Sequence, residues 1–320
     1  MPSKRDLILG TRGSPLALWQ AGFVKKHLEA EYGDLQVTIQ PIKTTGDKIS
    51  ETSLSKVGGK GLFLKEIEEH LLNGSIDMGV HSMKDVPVDL PSGLLIGPIL
   101  KREDPRDVLI SKKYSSLFHL PKKAVVGTGS LRRQAQLKHL RPDLEIVPLR
   151  GNIDTRLQKL LQPADDELSV PRTILLAACG LTRLGLSSEI TEYLPSRTML
   201  SAVGQGAIGI EVREDDERVR GLVDFMNHRE TALSLEAERS FLKTLGGDCQ
   251  SPVAALAEVE GTFLRITGMV ASPDGSQLFR DRLEGPVGEA LALGAELAEK
   301  LLNRGAKEIL KNCKNAREKK

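Results

Sequence analysis

The sequence predicts an α/β protein with two similar units, each a mixed and mostly parallel sheet covered by helices, followed by a small α+β unit. Three observations support this fold class. Apolar segments of strand length alternate with helix-like segments from residue 7 to residue 178. The turn Gly-Thr-Arg-Gly-Ser at residues 10–14 returns as Gly-Thr-Gly-Ser at residues 127–130, each time after an apolar segment. Beyond His228, strand-like segments are grouped together and followed by a helix.

The first unit is predicted from an alternation of strand and helix patterns. The helix after Pro15 has apolar residues spaced four, three and four apart, which places them on one face. In chain order we expect a strand at 7–10, a helix after Pro15, a strand at 37–42, a glycine-rich loop over 44–60, a helix around Ile67 and a strand at 76–81. Strands separated by helices indicate a mainly parallel sheet.

The remaining chain repeats this plan once and then changes. In chain order we expect a strand before Gly127, a helix after Ser130, a strand at 145–149, a helix after Asn152, a strand at 173–178, a strand at 208–212 that returns to the first sheet, a helix at 215–225, a helix around Leu235, strands at 253–259, 263–270 and 277–283, and a helix around Leu291. Residues 311–320 are basic and polar and are expected to fray.

Segments rich in proline and glycine at 98–105 and 195–204 predict crossings between domains. The predicted division is 1–102 with 203–226 as domain 1, 103–202 as domain 2 and 227–320 as domain 3.

The composition excludes several classes of protein. With 45 Lys+Arg, 43 Asp+Glu and only 7 Phe, 3 Tyr and 1 Trp, the chain lacks the basic excess and the aromatic faces of a nucleic-acid platform. Its 3 cysteines form no C-x-x-C pair and its 6 histidines no metal-binding pattern, so neither a disulfide framework nor a metal site is expected. No signal sequence or membrane-spanning segment is evident at 1–20 or elsewhere, so we expect a cytoplasmic protein without a membrane partner.

Arginines recur where strands end and helices begin. In an open parallel sheet these positions gather at the carboxyl edge, where ligands bind, and helix N-termini add positive charge there. Since a guanidinium group grips a carboxylate with two hydrogen bonds, the pattern predicts a ligand with several negative charges. For any single arginine, a solvated or ion-paired surface role is an equal alternative. The residues are Arg12, Arg132, Arg133, Arg150, Arg156 and Arg183.

Three further features contain charged or reactive side chains suited to binding or catalysis. Lys56 and Lys60 lie in a glycine-rich loop that lacks the phosphate-loop spacing, so it is either a mobile positively charged lid or a solvated turn. Asp85 follows a buried strand and suits general acid catalysis or stabilisation of a cation, whereas spacing alone favours a cap or a pair with Lys84. Cys249 lies in a loop after two glycines and is either a nucleophile or attachment point, or an inert thiol.

Taken together, these motifs resemble the porphobilinogen deaminase family. The resemblance runs in order from residue 8 to about residue 255. It rests on residues 11–20, on 56–63, on His81-Ser82-Met83-Lys84-Asp85, on Ser130-Leu131-Arg132-Arg133, on 150–157, on Gly204-Gln205-Gly206-Ala207 and on the Cys249 loop. One departure is Asp248, which stands between the glycines and the cysteine.

The resemblance implies a cytoplasmic, monomeric transferase of tetrapyrrole and haem biosynthesis. Its first two domains would resemble type II periplasmic binding proteins around an active-site cleft. Such enzymes join four porphobilinogen molecules head to tail with loss of ammonia and hydrolyse the product to hydroxymethylbilane. A dipyrromethane cofactor, built from substrate, would be attached to Cys249 through a thioether.

The resemblance also assigns residues. Asp85 matches the catalytic aspartate. The implied cofactor-binding residues are Cys249, Lys84, Asp85, Ser130, Arg132 and Arg133, and the implied substrate-binding residues are Arg12, Ser14, Arg150, Arg156, Arg183, Lys56, Lys60 and Gln205. The alternative from another class is a non-catalytic anion-binding protein with the same two lobes, although a third domain with a loop cysteine favours the enzyme.

Overall fold

The computed structural model describes residues 6–48, 64–161, 171–246 and 251–318. The chain divides into two compact units, one of Met1–Glu103 with Ala207–Ala232 and one of Asp104–Gly206 with Leu233–Lys320. Among the described helices, none combines the length and the apolar character needed to cross a membrane.

The described strands and helices follow the predicted alternation in the first two thirds of the chain. The strands are β1 (Leu7–Arg12), β2 (Val37–Ile42), β3 (Met78–Ser82), β4 (Leu94–Ile99), β5 (Asp107–Ser111), β6 (Val125–Gly127), β7 (Glu145–Val147), β8 (Thr173–Ala177), β9 (Glu192–Leu194), β10 (Ile208–Arg213), β11 (Val253–Glu260), β12 (Phe263–Ala271) and β13 (Leu278–Pro286). The helices are α1 (Pro15–Glu31), α2 (Thr45–Lys48), α3 (Lys65–Leu72), α4 (Leu131–Leu140), α5 (Ile153–Leu161), α6 (Ala178–Arg183), α7 (Glu217–Val223), α8 (Arg229–Thr244), α9 (Ala290–Leu301) and α10 (Lys307–Glu318).

The first sheet has the order β2-β1-β3-β10-β4. Strands β1, β2 and β3 are parallel, whereas β10 is antiparallel to both of its neighbours. Helix α1 buries Ala21, Val24 and Leu28 against this sheet, which is the face that the spacing predicts. The return of β10 to the first sheet confirms that prediction. The carboxyl ends of β1 and β3 therefore lie side by side.

The second sheet repeats the plan of the first. Its order is β7-β6-β8-β5-β9, with β6, β7 and β8 parallel and β5 antiparallel to both of its neighbours. Strands β1 and β6 occupy equivalent positions, second from one edge of their sheets, and each is followed by the glycine- and serine-containing turn. The prediction of two α/β units with the same architecture is confirmed.

The third sheet is antiparallel and has the order β11-β12-β13. Helix α9 packs on it, with Leu293 and Leu297 in a core that includes Phe241 from α8. The backbone must pass close to that ring, since a Cβ atom on Gly268 would lie 2.6 Å from Phe241. This small α+β arrangement completes the predicted fold class. The division into three domains with the boundaries given above stays a prediction.

Several local predictions are wrong. The C-terminal stretch does not fray from residue 311, because α10 continues to Glu318 and buries Ile309 and Cys313 in the third core. Strand β8 ends at Ala177, and Ala178 begins a helix whose last residue is Arg183. Arg183 thus ends a helix instead of lying in a turn. The pattern also missed β4, β5 and β9. Part of the predicted loop over 44–60 is the short helix α2, and the rest lies outside the described residues.

Candidate active site

A pocket opens at the carboxyl ends of β1 and β3 in the first unit. Three of the predicted site residues, Arg12, Ser14 and Asp85, line it together. The other lining residues are Leu16, Ala17, Gln20, Leu64, Val80, His81 and Ser82. These three residues thus gather at this edge of the sheet, and their binding of a ligand stays a prediction.

Ser14 and Arg12 owe their positions to the start of α1. Arg12 is the last residue of β1, and Ser14 is the N-cap of α1 with an extended backbone. The Ser14 hydroxyl accepts a hydrogen bond from the backbone N–H of Ala17 over 3.3 Å, and Pro15 occupies the first turn. The N-terminal end of a 17-residue helix therefore adds partial positive charge beside the Arg12 guanidinium group.

Asp85 lies at the end of a short 3-10 turn that follows β3. The turn is fixed by the Met83 N–H, which donates to the Ala207 carbonyl oxygen over 3.0 Å, and by the buried Met83 side chain. Within the described part of the chain, the Asp85 carboxylate makes no hydrogen bond and no ion pair, and the residue is exposed. The alternative that pairs it with Lys84 does not match this geometry. Lys84 is half-buried on the same turn and is not among the residues that line the pocket.

Two polar residues of the pocket wall, Gln20 and Ser82, lie in motifs cited above but were not predicted as site residues. The amide nitrogen of Gln20 donates to the Ser82 hydroxyl over 2.8 Å, which ties α1 to the end of β3. Gln20 is only 2% exposed. A glutamine on the apolar face of α1 is the one sequence signal that could have identified this contact.

A buried ionisable cluster lies in the same unit, and His81 belongs both to it and to the pocket wall. His81 Nε2 and Glu211 Oε2 are 2.9 Å apart, with both side chains almost fully buried. Glu68 of α3 is buried nearby. Burial and, after it, the negative charge of Glu211 raise the pKa of Glu68 to about 7, although His81 acts in the opposite direction. No pattern in the sequence indicated this cluster.

In the second unit, Ser130 repeats the role of Ser14. It is the N-cap of α4, and its hydroxyl accepts from the Arg133 N–H over 3.4 Å. Arg132 and Arg133 on the first turn are nearly buried and share the carboxylate of Asp107 from β5. The two guanidinium groups outweigh the effect of burial and hold the pKa of Asp107 well below its usual range. Arg132 and Arg133, predicted to bind a negatively charged ligand, therefore already have one buried anionic partner.

Gln205 joins the same cluster. Its amide nitrogen donates to Asp107 Oδ1 over 3.0 Å and to the Pro105 carbonyl oxygen over 2.6 Å, and the residue is 1% exposed. The geometry thus places its amide N–H groups on the Asp107 carboxylate and on backbone. Its expected contact with substrate stays a prediction.

The remaining arginines of the second unit differ from one another in their surroundings. Arg156 on α5 donates from Nε to the Gly151 carbonyl oxygen over 2.8 Å. Arg183 is buried and donates from Nη2 to the Gly206 carbonyl oxygen over 2.6 Å. Arg150 follows β7, and its Nη1 is buried without a hydrogen-bond partner among the described residues. A buried guanidinium nitrogen of this kind is a ready donor for an anionic group.

Three predicted site residues, Lys56, Lys60 and Cys249, lie outside the described residues. The other two cysteines, Cys179 and Cys313, are buried, as expected for Cys179 from its apolar surroundings. Among the described side chains, no group of His, Cys, Asp and Glu is arranged to hold a metal ion.

Comparison with known proteins gives consistent matches along the chain. Residues 7–221 match the family model "Porphobilinogen deaminase, dipyromethane cofactor binding domain", and residues 232–303 match "Porphobilinogen deaminase, C-terminal domain". A porphobilinogen deaminase of Syntrophomonas wolfei is 52% identical over 306 residues, which cover 96% of this chain and 98% of that protein. One from Geobacter sulfurreducens is 51% identical over 304 residues, covering 95% and 93%.

Among solved structures, the methionine-binding protein MetQ matches 69% of this chain and 88% of its own, with 15% sequence identity and a TM-score of 0.41.

Proposed function

The chain belongs to the porphobilinogen deaminase family, and we propose that Asp85 is the catalytic group with which it polymerises porphobilinogen. Enzymes of this family are transferases of tetrapyrrole synthesis that join four porphobilinogen molecules head to tail, release ammonia at each step and yield hydroxymethylbilane. The observation that carries the proposal is the pocket that holds Arg12, Ser14 and an exposed Asp85 carboxylate together.

The chemistry explains why a carboxylate is needed. Loss of ammonia from porphobilinogen leaves an electron-poor azafulvenium cation. A carboxylate near the pyrrole N–H stabilises this charge during elimination and again during coupling. Asp85 suits that role because, within the described part of the chain, no cation or hydrogen-bond donor occupies its oxygens.

Binding requires cationic groups, since each porphobilinogen ring carries an acetate and a propionate. We assign this binding to Arg12 and Ser14 in the first unit, and to Arg150, Arg156 and Arg183 in the second. Arg150 is supported best, because its buried Nη1 gains a partner when a carboxylate binds. The proposal extends to Lys56, Lys60 and Gln205, which we also expect to contact substrate.

The family's cofactor is a dipyrromethane, which supplies the free pyrrole carbon on which the chain grows. Its four carboxylates require several cationic and hydrogen-bonding groups, and the donors at the start of α4 fit that requirement. Arg132 and Arg133 together carry two positive charges against the single charge of Asp107, which leaves one in excess. We propose that Ser130, Arg132, Arg133, Lys84 and Asp85 hold the cofactor and that Cys249 attaches it.

The experiment that tests the role of Asp85 is a comparison of Asp85→Asn with wild type in product formation and in cofactor content. We expect the cofactor to be retained and turnover to be nearly abolished, because the amide has the same size but no charge. Asp34→Asn, at an exposed position of the same unit, is the matched control and should keep full turnover. Near-normal product formation by Asp85→Asn would refute the assignment.

We further propose that the enzyme acts as a cytoplasmic monomer with three domains, at 1–102 with 203–226, at 103–202 and at 227–320. The three separate sheets support the domain division. Sedimentation at micromolar concentration tests the monomeric state, and limited proteolysis at the predicted crossings tests the domain division.

A further inference from the structure

His81 and Glu211 form a buried pair to which the proposed function assigns no role. The His81 side chain is 4% exposed and that of Glu211 is fully buried, yet His81 forms part of the pocket wall beside Ser82 and Asp85. Burying a carboxylate is costly unless it has a charged or hydrogen-bonding partner. An ionisable pair that reaches a substrate pocket is therefore a candidate for proton transfer.

The sheet itself makes room for this pair. Strands β3 and β10 are antiparallel, with Gly79 opposite Glu211 and Gly209 opposite His81. A Cβ atom on Gly79 would lie 2.8 Å from His81 Nε2 and 3.0 Å from the Ile67 side chain. A larger residue at position 79 would thus displace the imidazole ring from Glu211. The ring can occupy this position only because Gly79 has no side chain.

The hydrogen bond also determines which ring nitrogen is available. An ionised Glu211 can only accept a hydrogen bond, so with Glu211 ionised the 2.9 Å contact between its Oε2 and His81 Nε2 places the hydrogen on Nε2. Within the described part of the chain, Nδ1 makes no hydrogen bond. In the neutral ring, Nδ1 then carries the lone pair and can accept a proton. Carboxylate–histidine pairs in which the carboxylate orients the base follow the same logic.

Charged groups approach this pair from several elements. Glu68 comes from α3, and Arg12 and Asp85 line the same pocket as His81. Among the described residues, Glu68 Oε1 and Glu211 Oε1 are both buried without a hydrogen-bond partner. Burial and Glu211 raise the pKa of Glu68 to about 7, so this carboxyl group binds and releases a proton near neutral pH. The cluster can therefore hold one proton more than the His81–Glu211 pair alone.

We infer that His81 is the base that removes the α-proton of a bound porphobilinogen ring when the next ring is coupled to it, and that Glu211 is its positioning residue. The C–H bond at the free α-carbon breaks, its electron pair restores the aromatic pyrrole, and the proton moves to His81 Nδ1. The ammonia released in the cycle carries a proton away as ammonium, so each cycle balances. The inference rests on the proposed location of the reaction in the Asp85 pocket.

The first test needs no variant. Nitrogen-15 NMR of the histidines in the wild-type holoenzyme reports which ring nitrogen of His81 carries the hydrogen. We expect a hydrogen on Nε2 and a bare Nδ1 at the pH of turnover. A hydrogen on Nδ1 with a bare Nε2 would overturn the inference, because the available nitrogen could not then accept a proton.

The second test uses porphobilinogen deuterated at its free α-carbon. Removing the base should make C–H cleavage rate-limiting, so His81→Gln should lower kcat by about 100-fold or more and increase the primary isotope effect above that of wild type. Glu211→Gln should lower kcat less than His81→Gln does. It should also increase the isotope effect and alter the NMR signal of His81. His27→Gln, at an exposed histidine of α1, is the matched control and should change neither quantity.

A structural role alone would lower the amount of folded enzyme without increasing the isotope effect. An unchanged isotope effect in folded His81→Gln would thus overturn the inference. If Asp85→Asn abolishes turnover whereas His81→Gln does not, only this inference fails. If Asp85→Asn is active, the proposed function of the pocket fails first.

Discussion

Arg132 and Asp107 form a two-point ion pair inside the second unit: Nη1 donates to Oδ2 over 2.6 Å and Nη2 donates to Oδ1 over 3.2 Å. Arg133 shares the same carboxylate, with Nη2 2.8 Å from Oδ1. Asp107 is fully buried. One carboxylate therefore fixes two adjacent arginines on the first turn of α4, beside the N-cap Ser130.

Removing this carboxylate should destabilise the protein strongly. Asp107→Ala leaves two buried guanidinium groups without their anion, and we expect a loss of about 3–5 kcal/mol in the free energy of unfolding. Glu189→Gln is the control, since Glu189 pairs with Lys112 at the surface over 2.6 Å and should contribute little. Chemical denaturation of both variants measures the difference. Equal stability of Asp107→Ala and wild type would contradict the role of Asp107.

The buried Glu68 should make stability depend on pH near neutrality. Its pKa is about 7 in the folded protein instead of 4.5, so the folded state binds more protons than the unfolded state between these values. Stability contributed by Glu68 is present below pH 4.5 and falls as the pH rises through 7. Glu68→Gln should abolish this slope and be more stable than wild type at pH 8, by about 2 kcal/mol. Melting temperatures of both proteins, measured over about three pH units from pH 5 to pH 8, test this. The same change of melting temperature with pH in both proteins would refute it.

Arg150 should affect binding and stability in opposite ways. Its buried Nη1 has no hydrogen-bond partner among the described residues, so Arg150→Met removes a group that costs stability when no ligand is bound. We expect an unchanged or slightly higher melting temperature but a KM for porphobilinogen raised by about 10-fold or more, the equivalent of a lost charged hydrogen bond. Lys122→Met, at an exposed position of the same unit, is the control. Unchanged KM in Arg150→Met would show that Arg150 does not bind substrate.

Local patterns were sufficient to predict most of the fold. Strands β1 and β6 and the starts of helices α1 and α4 depend on a few adjacent residues, and each was predicted near its observed position. The C-terminal helix was missed because its composition is polar. Among the side chains of α10 that the structure describes, those buried in the core are Ile309 and Cys313, four residues apart, and a face this narrow is defined by the core on which it packs.

The site was predicted only where the chemistry is encoded in neighbouring residues. Arg12, Ser14 and Asp85 follow strand ends, and the pocket brings them together. Asp107 was missed because it contacts arginines 25 and 26 positions further along the chain. Glu211 was missed for the same reason, since it lies 130 positions from His81. Pairings of this kind are set by strand order and register, which no local pattern specifies.

The intact mass of the purified protein tests the central claim most directly. If the chain is a porphobilinogen deaminase that carries its dipyrromethane on Cys249, the wild type should exceed the mass of its sequence by two pyrrole units, and Cys249→Ser should not. A wild-type mass equal to that of the bare sequence, or an excess mass that persists in Cys249→Ser, would contradict it.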